Sequence, residues 1–228
     1  MLTRVRSGVL FDFGGTLDAD GVTWKERTRR LCEREGIAVD PERFDRAFYA
    51  ADDALAGAVP ATATLRETVT RLMDGVIKEL GVHDDGIADR VASKFLDDSI
   101  ASLDRNTDLL AALARRYRLG IVSNFYGNLA RVCEDAKISR YFDVIVDSAQ
   151  LGCQKPDPRI FQAALGTLAL PPGAVTFVGD SAPRDMAGAR AVGMPHIWLV
   201  AERSTAGAAC CPGDRIVESL GALEGLLL

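Results

Sequence analysis

Gly8-Val9-Leu10-Phe11-Asp12-Phe13-Gly14-Gly15-Thr16-Leu17-Asp18 is the stretch on which the fold turns. An apolar run closed by glycines reads as a buried strand that ends in a turn. Asp12 then stands at the carboxyl end of a strand, where open α/β sheets keep their chemistry. The design recurs downstream: Leu119-Gly120-Ile121-Val122 ends at Ser123-Asn124, and Val175-Thr176-Phe177-Val178 ends at Gly179-Asp180. Val144-Ile145-Val146, His196 to Val200 and Arg215-Ile216-Val217 read as further strands, with helical stretches between them. Alternating strands and helices predict a parallel sheet covered on both faces.

The chain between the first two strands has another character. Trp24 to Arg34 is charged and amphipathic and stops before Gly36; Pro41 opens a second helical pattern that fades at Gly57. Leu65 to Leu80 carries apolar residues at helical spacing, and Ile87 to Ile100 reads as a fourth helix. Residues 20–100 show no strand signal and read as a small helical bundle inserted after the first strand. The pattern changes near Ser102, beyond which Leu109, Leu110 and Leu113 make a separate helix face. Glu218 to Leu228 reads as a closing amphipathic helix.

Composition narrows the function. The chain has 228 residues, of which 48% are hydrophobic, enough for a real core. The net charge of -5 gives no electrostatic reason to expect nucleic acid. No apolar run is long enough to span a bilayer, and the first six residues lack a signal-peptide core, so a cytoplasmic protein with no membrane partner is expected. The five cysteines are scattered without a CxxC pair, which suits reduced thiols. Cys210-Cys211, in a Gly/Ala-rich loop, reads as incidental. His83 and His196 read as structural.

Parallel strands would gather Asp12, Ser123 and Asp180 at one edge, with Lys155 brought in by the loop Gly152-Cys153-Gln154-Lys155-Pro156-Asp157-Pro158. Such a set suits phosphoryl transfer. A carboxylate can attack phosphorus, a hard cation can bring two anions together, and hydroxyl, ammonium and backbone N–H groups can hold the moving oxygens. Taken singly, each motif is an ordinary cap or turn; the four together are hard to credit to chance.

These residues resemble the haloacid dehalogenase-like hydrolase superfamily, nearly end to end. Asp12-Phe13-Gly14-Gly15-Thr16-Leu17 is similar to its first motif, and Ile121-Val122-Ser123-Asn124 to its second. Lys155-Pro156-Asp157-Pro158-x-Ile160-Phe161 is similar to the third, and Val178-Gly179-Asp180-Ser181 with Asp185 to the fourth. The resemblance implies a Rossmann-like three-layer core, residues 1–18 and 101–228, with a helical cap at 19–100. It implies a Mg²⁺-dependent phosphatase acting on a small phosphorylated metabolite through an aspartyl-phosphate on Asp12. Asp12, Ser123 and Lys155 would be catalytic. Gly15, Thr16, Ser123, Asn124 and Lys155 would bind substrate. Asp12, the Gly14 carbonyl, Asp180 and Asp185 would hold Mg²⁺. A monomer or homodimer is expected.

One departure stands out. In the family, the residue two after the nucleophile is usually an Asp that protonates the leaving group and later activates water. Gly14 can do neither, although a main-chain contact with metal survives. General acid–base help is worth roughly 10²–10⁴ in rate, so preference should shift toward leaving groups that depart without a proton, such as acyl or aryl phosphates. Asp18 and Asp20 are near enough to be considered as substitutes, but read as turn and cap-linker residues. Alternatives are an impaired phosphate- or partner-binding protein, or carbon–halogen or carbon–phosphorus cleavage. Trp24, Phe44, Phe48 and Tyr49 read as core, and Arg27, Arg29 and Arg30 as a solvated helix face.

Overall fold

The computed structural model describes residues 7–38, 40–83, 86–201 and 215–228. The first six residues and Cys210-Cys211, on which the sequence reading commented, lie outside them. Six parallel strands form one sheet in the order β3-β2-β1-β4-β5-β6. They are β1 (Gly8–Phe11), β2 (Arg118–Ser123), β3 (Val144–Asp147), β4 (Val175–Gly179), β5 (His196–Leu199) and β6 (Arg215–Val217). The order reverses beside β1, the kind of switch point where doubly wound sheets open a crevice for ligands.

Side-chain alternation builds the layers. Val9 and Phe11 of β1 join Leu119, Ile121 and Val178 in one core cluster, whereas Leu10 points to the other with Val122, Val175 and Phe177. The first cluster continues into α5 (Leu129–Asp135), and the second is covered by α7 (Pro158–Leu168) and α8 (Ala187–Ala191). Helices on both faces of a parallel sheet make a Rossmann-like α/β fold. Short α6 (Ser148–Leu151) follows β3, and the chain closes with a 3-10 turn (Leu220–Leu223) and α9 (Glu224–Leu227) rather than the single helix expected from Glu218.

Four helices form the insertion between β1 and β2: α1 (Trp24–Arg34), α2 (Pro41–Leu55), α3 (Leu65–Glu79) and α4 (Ile87–Arg116). Their starts are written locally. Thr23 and Asp40 cap α1 and α2 by accepting from the third backbone N–H. Thr64 and Glu67 form a reciprocal capping box on α3. Phe44, Phe48, Leu72, Met73, Val91 and Phe95 fill the bundle. Tyr49, expected in this core, is instead 48% exposed.

The largest departure is α4. It was expected to stop at Ile100 but continues unbroken for 30 residues to Arg116. Its face toward the loop after β1 carries buried Ser99, Ser102 and Asn106. These polar residues interrupt the apolar pattern without interrupting the helix, because each has a hydrogen-bond partner. Asn106 donates to the Leu17 carbonyl, and Ser102 accepts from Arg105. Ser99 donates to Asp18.

Candidate active site

Strand register sets the site. Phe11 lies level with Ile121 on one side and Val178 on the other, and the Asp12 N–H donates to the Val178 carbonyl. The residues that follow β1, β2 and β4 therefore emerge together. Ser123 Oγ donates to Asp12 Oδ1 at 2.7 Å. Lys155 Nζ lies 2.7 Å from Asp12 Oδ1 and 2.7 Å from Asp185 Oδ1. Thr16 Oγ1 donates to Asp180 Oδ1 at 3.2 Å. Asp185 is held by the Ser181 N–H, and the Trp198 indole donates to the Asp180 carbonyl.

Two glycine positions close the loop around this cluster. Gly15 has φ +85°, and a Cβ there would lie 2.5 Å from Asp180 Oδ2. Both conformation and space exclude a side chain. Gly14, at φ -74° and ψ 120°, has a backbone open to any residue. Its limit is the first residue of α1: a Cβ would lie 3.0 Å from Trp24 Nε1 and 3.3 Å from Trp24 Cδ1.

The electrostatics are unbalanced. Asp12, Asp180 and Asp185 each offer an oxygen, all within 4.8 Å of one another. Burial pushes the Asp180 carboxyl well above the ordinary range, and the Asp12 and Asp185 carboxylates push it further. Burial also raises Asp185, with Lys155 acting against it. For Lys155, burial opposes the charge, but Asp12 and Asp185 outweigh it and hold the ammonium above the usual lysine value. One buried ammonium among clustered carboxylates leaves negative charge uncompensated. Hard oxygens at this spacing fit a hard divalent cation.

The structure places Asp12, Ser123, Lys155, Asp180, Asp185, Thr16 and Gly15 together around one cluster, with Gly14 facing Trp24. Two expected substrate contacts have other duties. Asn124 accepts from the Lys155 N–H at 2.7 Å and donates to the Lys155 carbonyl at 3.2 Å, so its amide positions that loop. The Gly15 N–H donates to Asp18 Oδ1 at 2.7 Å.

Sequence reasoning missed the network beside the loop. Asp18 is fully buried and also accepts from Trp24 Nε1 at 2.8 Å, Arg27 at 2.8 Å and Ser99 at 3.1 Å. Arg27, expected on a solvated face, is buried; it also donates to the Phe95 carbonyl and Ser99 Oγ and lies over the Phe95 ring. Of the other two arginines, Arg29 is half-buried and Arg30 exposed, and both pair with Glu26. Asp20 accepts from the Leu220 N–H and from Arg105. Across to the helical insertion, the Tyr126 hydroxyl donates to Asp52 of α2. Burial raises the Asp52 carboxyl, partly offset by that bond. A helix-spaced arginine facing an aspartate nine residues earlier has no short-range signature.

With this geometry in place, the chain belongs to the haloacid dehalogenase-like hydrolase family, whose model matches residues 7–193. It is similar to haloacid dehalogenase-like hydrolase domain-containing protein 3. The Bos taurus protein is 44% identical over 38% of this chain and 34% of its own. The Danio rerio protein is 25% identical over 96% of this chain and 95% of its own. The chain thus spans about a third of the bovine relative but nearly all of the zebrafish one. Phosphoserine phosphatase of Thermus thermophilus is 32% identical over 40% of this chain and 37% of its own. In fold, the chain is similar to the magnesium-bound HAD-hydrolase YfnB of Bacillus subtilis. That match has a TM-score of 0.59 and 20% identity, over 98% of this chain and 99% of that one. Among the described residues no helix is long and apolar enough to cross a membrane.

Proposed function

We propose that this hydrolase is a Mg²⁺-dependent phosphatase for a small phosphorylated metabolite, working through an aspartyl-phosphate on Asp12. The observation that carries the reading is the position of Lys155 Nζ, 2.7 Å from both Asp12 and Asp185, inside a carboxylate cluster short of positive charge. The phosphatase among the relatives supports the same reaction class.

In this reading the free Asp12 carboxylate oxygen attacks phosphorus. The Ser123 hydroxyl and the Lys155 ammonium fix the other oxygen, which selects the attacking one. As the phosphoryl group arrives, the same two donors neutralise its equatorial oxygens. Asn124 holds the Lys155 backbone while this happens. Asp12, Asp180, Asp185 and the Gly14 carbonyl would hold Mg²⁺, which when bound supplies the charge that lets two anions meet. Thr16 keeps the Asp180 carboxylate oriented. Residues 19–100 serve as the cap over the site.

The test is phosphate release from a panel of aryl, acyl and small metabolite phosphates, with and without Mg²⁺. Release that needs Mg²⁺ and disappears in Asp12→Asn is the expected result. Unchanged turnover in Asp12→Asn overturns it, as does tight phosphate binding with no release from any member. Halide released from a 2-haloacid without metal would point to carbon–halogen cleavage instead.

A further inference from the structure

Gly14 follows the nucleophile by two residues, and the space beside its Cα is filled. The five-membered ring of Trp24 stands there, with Nε1 and Cδ1 3.0 and 3.3 Å from where a Cβ would be. The ring is held by one hydrogen bond and two aromatic contacts. Its N–H donates to Asp18, and its faces and edges meet Phe95 and Phe125 with centroids 5.1 and 5.8 Å away. An N–H already donated to a carboxylate cannot also protonate a departing oxygen.

Other nearby carboxyls are committed as well. Both Asp18 oxygens are taken, Oδ1 by Gly15 and Oδ2 by Trp24, Arg27 and Ser99. Asp20 serves Leu220 and Arg105. Asp180 and Asp185 belong to the cluster with Asp12. Asp52 accepts from Tyr126. The position of the missing acid is therefore crowded rather than empty: a side chain there needs the Trp24 ring to give by a few tenths of an ångström.

We infer that the Trp24 indole is a specificity-determining residue: it closes the place beside Asp12 from which a leaving group would be protonated, so the site takes phosphates whose leaving group departs as a stable anion, acyl or aryl phosphates. This rests on the phosphatase reading above. The step balances without an acid. An Asp12 oxygen forms the new bond to phosphorus, the bond to the leaving oxygen breaks, and its electron pair leaves as carboxylate or phenolate. Water then attacks phosphorus, the Asp12 bond breaks back to carboxylate, and both protons of that water stay on the released phosphate. Without a base to activate water, the second step is the slower one, and the covalent intermediate accumulates.

The experiment measures wild-type kcat/KM and kcat with Mg²⁺ for acetyl phosphate, 4-nitrophenyl phosphate, phenyl phosphate and a primary alkyl phosphate. Acetyl phosphate separates the acyl from the aryl source. The expected result is a kcat/KM that falls steeply with leaving-group basicity, the alkyl ester trailing by roughly 10²–10⁴-fold. A burst of 4-nitrophenolate stoichiometric with enzyme should precede steady turnover. Gly14→Asp alone should recover little, whereas Gly14→Asp with Trp24→Leu should flatten the dependence. Asp52→Asn should leave it unchanged. A flat wild-type dependence overturns the inference. So does full recovery in Gly14→Asp alone, or a changed dependence in Asp52→Asn. If the double variant does not fold, Gly14→Asp alone decides: little recovery leaves the indole as the obstacle, and full recovery removes it. Absence of release from all four substrates defeats the phosphatase reading itself, which is a different result from release without discrimination.

Discussion

Two buried cation–carboxylate groups lie on either side of the loop from Phe13 to Leu17, and they are built to opposite ends. Around Asp18, one guanidinium, one indole, one hydroxyl and one backbone N–H meet a single carboxylate. Around Asp12, one ammonium serves a cluster of carboxylates. The first group is saturated and joins the loop to α1 and α4. The second retains surplus charge where strand ends open. Burial alone does not separate the two groups; unmet demand for positive charge does.

The contrast can be broken experimentally, beginning with the largest effect. Arg27→Met leaves the Asp18 charge buried without its partner and should cost about 3–5 kcal/mol. Urea unfolding would read this, and added Mg²⁺ should not restore it. Arg27→Met combined with Asp18→Asn should recover part of the loss, since both charges are then gone. Lys155→Met, in the unsaturated group, should destroy turnover. Its stability loss should shrink when Mg²⁺ is added, because a cation can replace part of the missing charge. Equal Mg²⁺ rescue of both variants would erase the distinction.

A smaller effect concerns pH. The Asp180 carboxyl is raised in the folded chain, by burial and by neighbouring carboxylates. Its stability contribution is full below the ordinary aspartate value of about 3.9. As pH rises through the folded value, the unfolded state holds fewer protons and that contribution is lost. The metal-free protein should therefore lose stability from this group as acid is neutralised. Mg²⁺ should raise Tm more near pH 7 than near pH 4, by the equivalent of about 2.7 kcal/mol at a hundredfold excess over Kd. A shift independent of pH would separate the cluster from cation binding. The smallest effect is Ser99→Ala, which removes one hydroxyl from the saturated network. It should cost about 0.5–1.5 kcal/mol and leave turnover intact.

The strand ends were legible because each lies within a few residues of its apolar run. The helix starts were legible from Pro41 and from the apolar spacing that begins at Leu65; the caps at Thr23, Asp40 and Thr64, which the sequence reading did not use, lie just before them. What stayed hidden depends on distant partners. Arg27 looked solvated because nothing in its own helix shows that Asp18, Phe95 and Ser99 will surround it. The extent of α4 was hidden because Ser99, Ser102 and Asn106 are polar yet buried. A pattern reader takes polar residues on the inner face as the end of a helix. Gly14 was visible as a departure, but the indole filling its space comes from ten positions further along and only appears in three dimensions.

The 30 residues of α4 make a rod about 45 Å long, by a rise of about 1.5 Å per residue. Its first half belongs to the helical bundle, and its last turn leads through Tyr117 into β2. One of the two connections between bundle and sheet is therefore a stiff beam, and the other is the short segment from Asp18 to Thr23. A swing of the bundle over the strand ends has to twist that beam or bend it, and the Arg27 anchor resists both. Bundle and sheet are thus joined like a beam to its wall, with a pin set through the joint at Asp18.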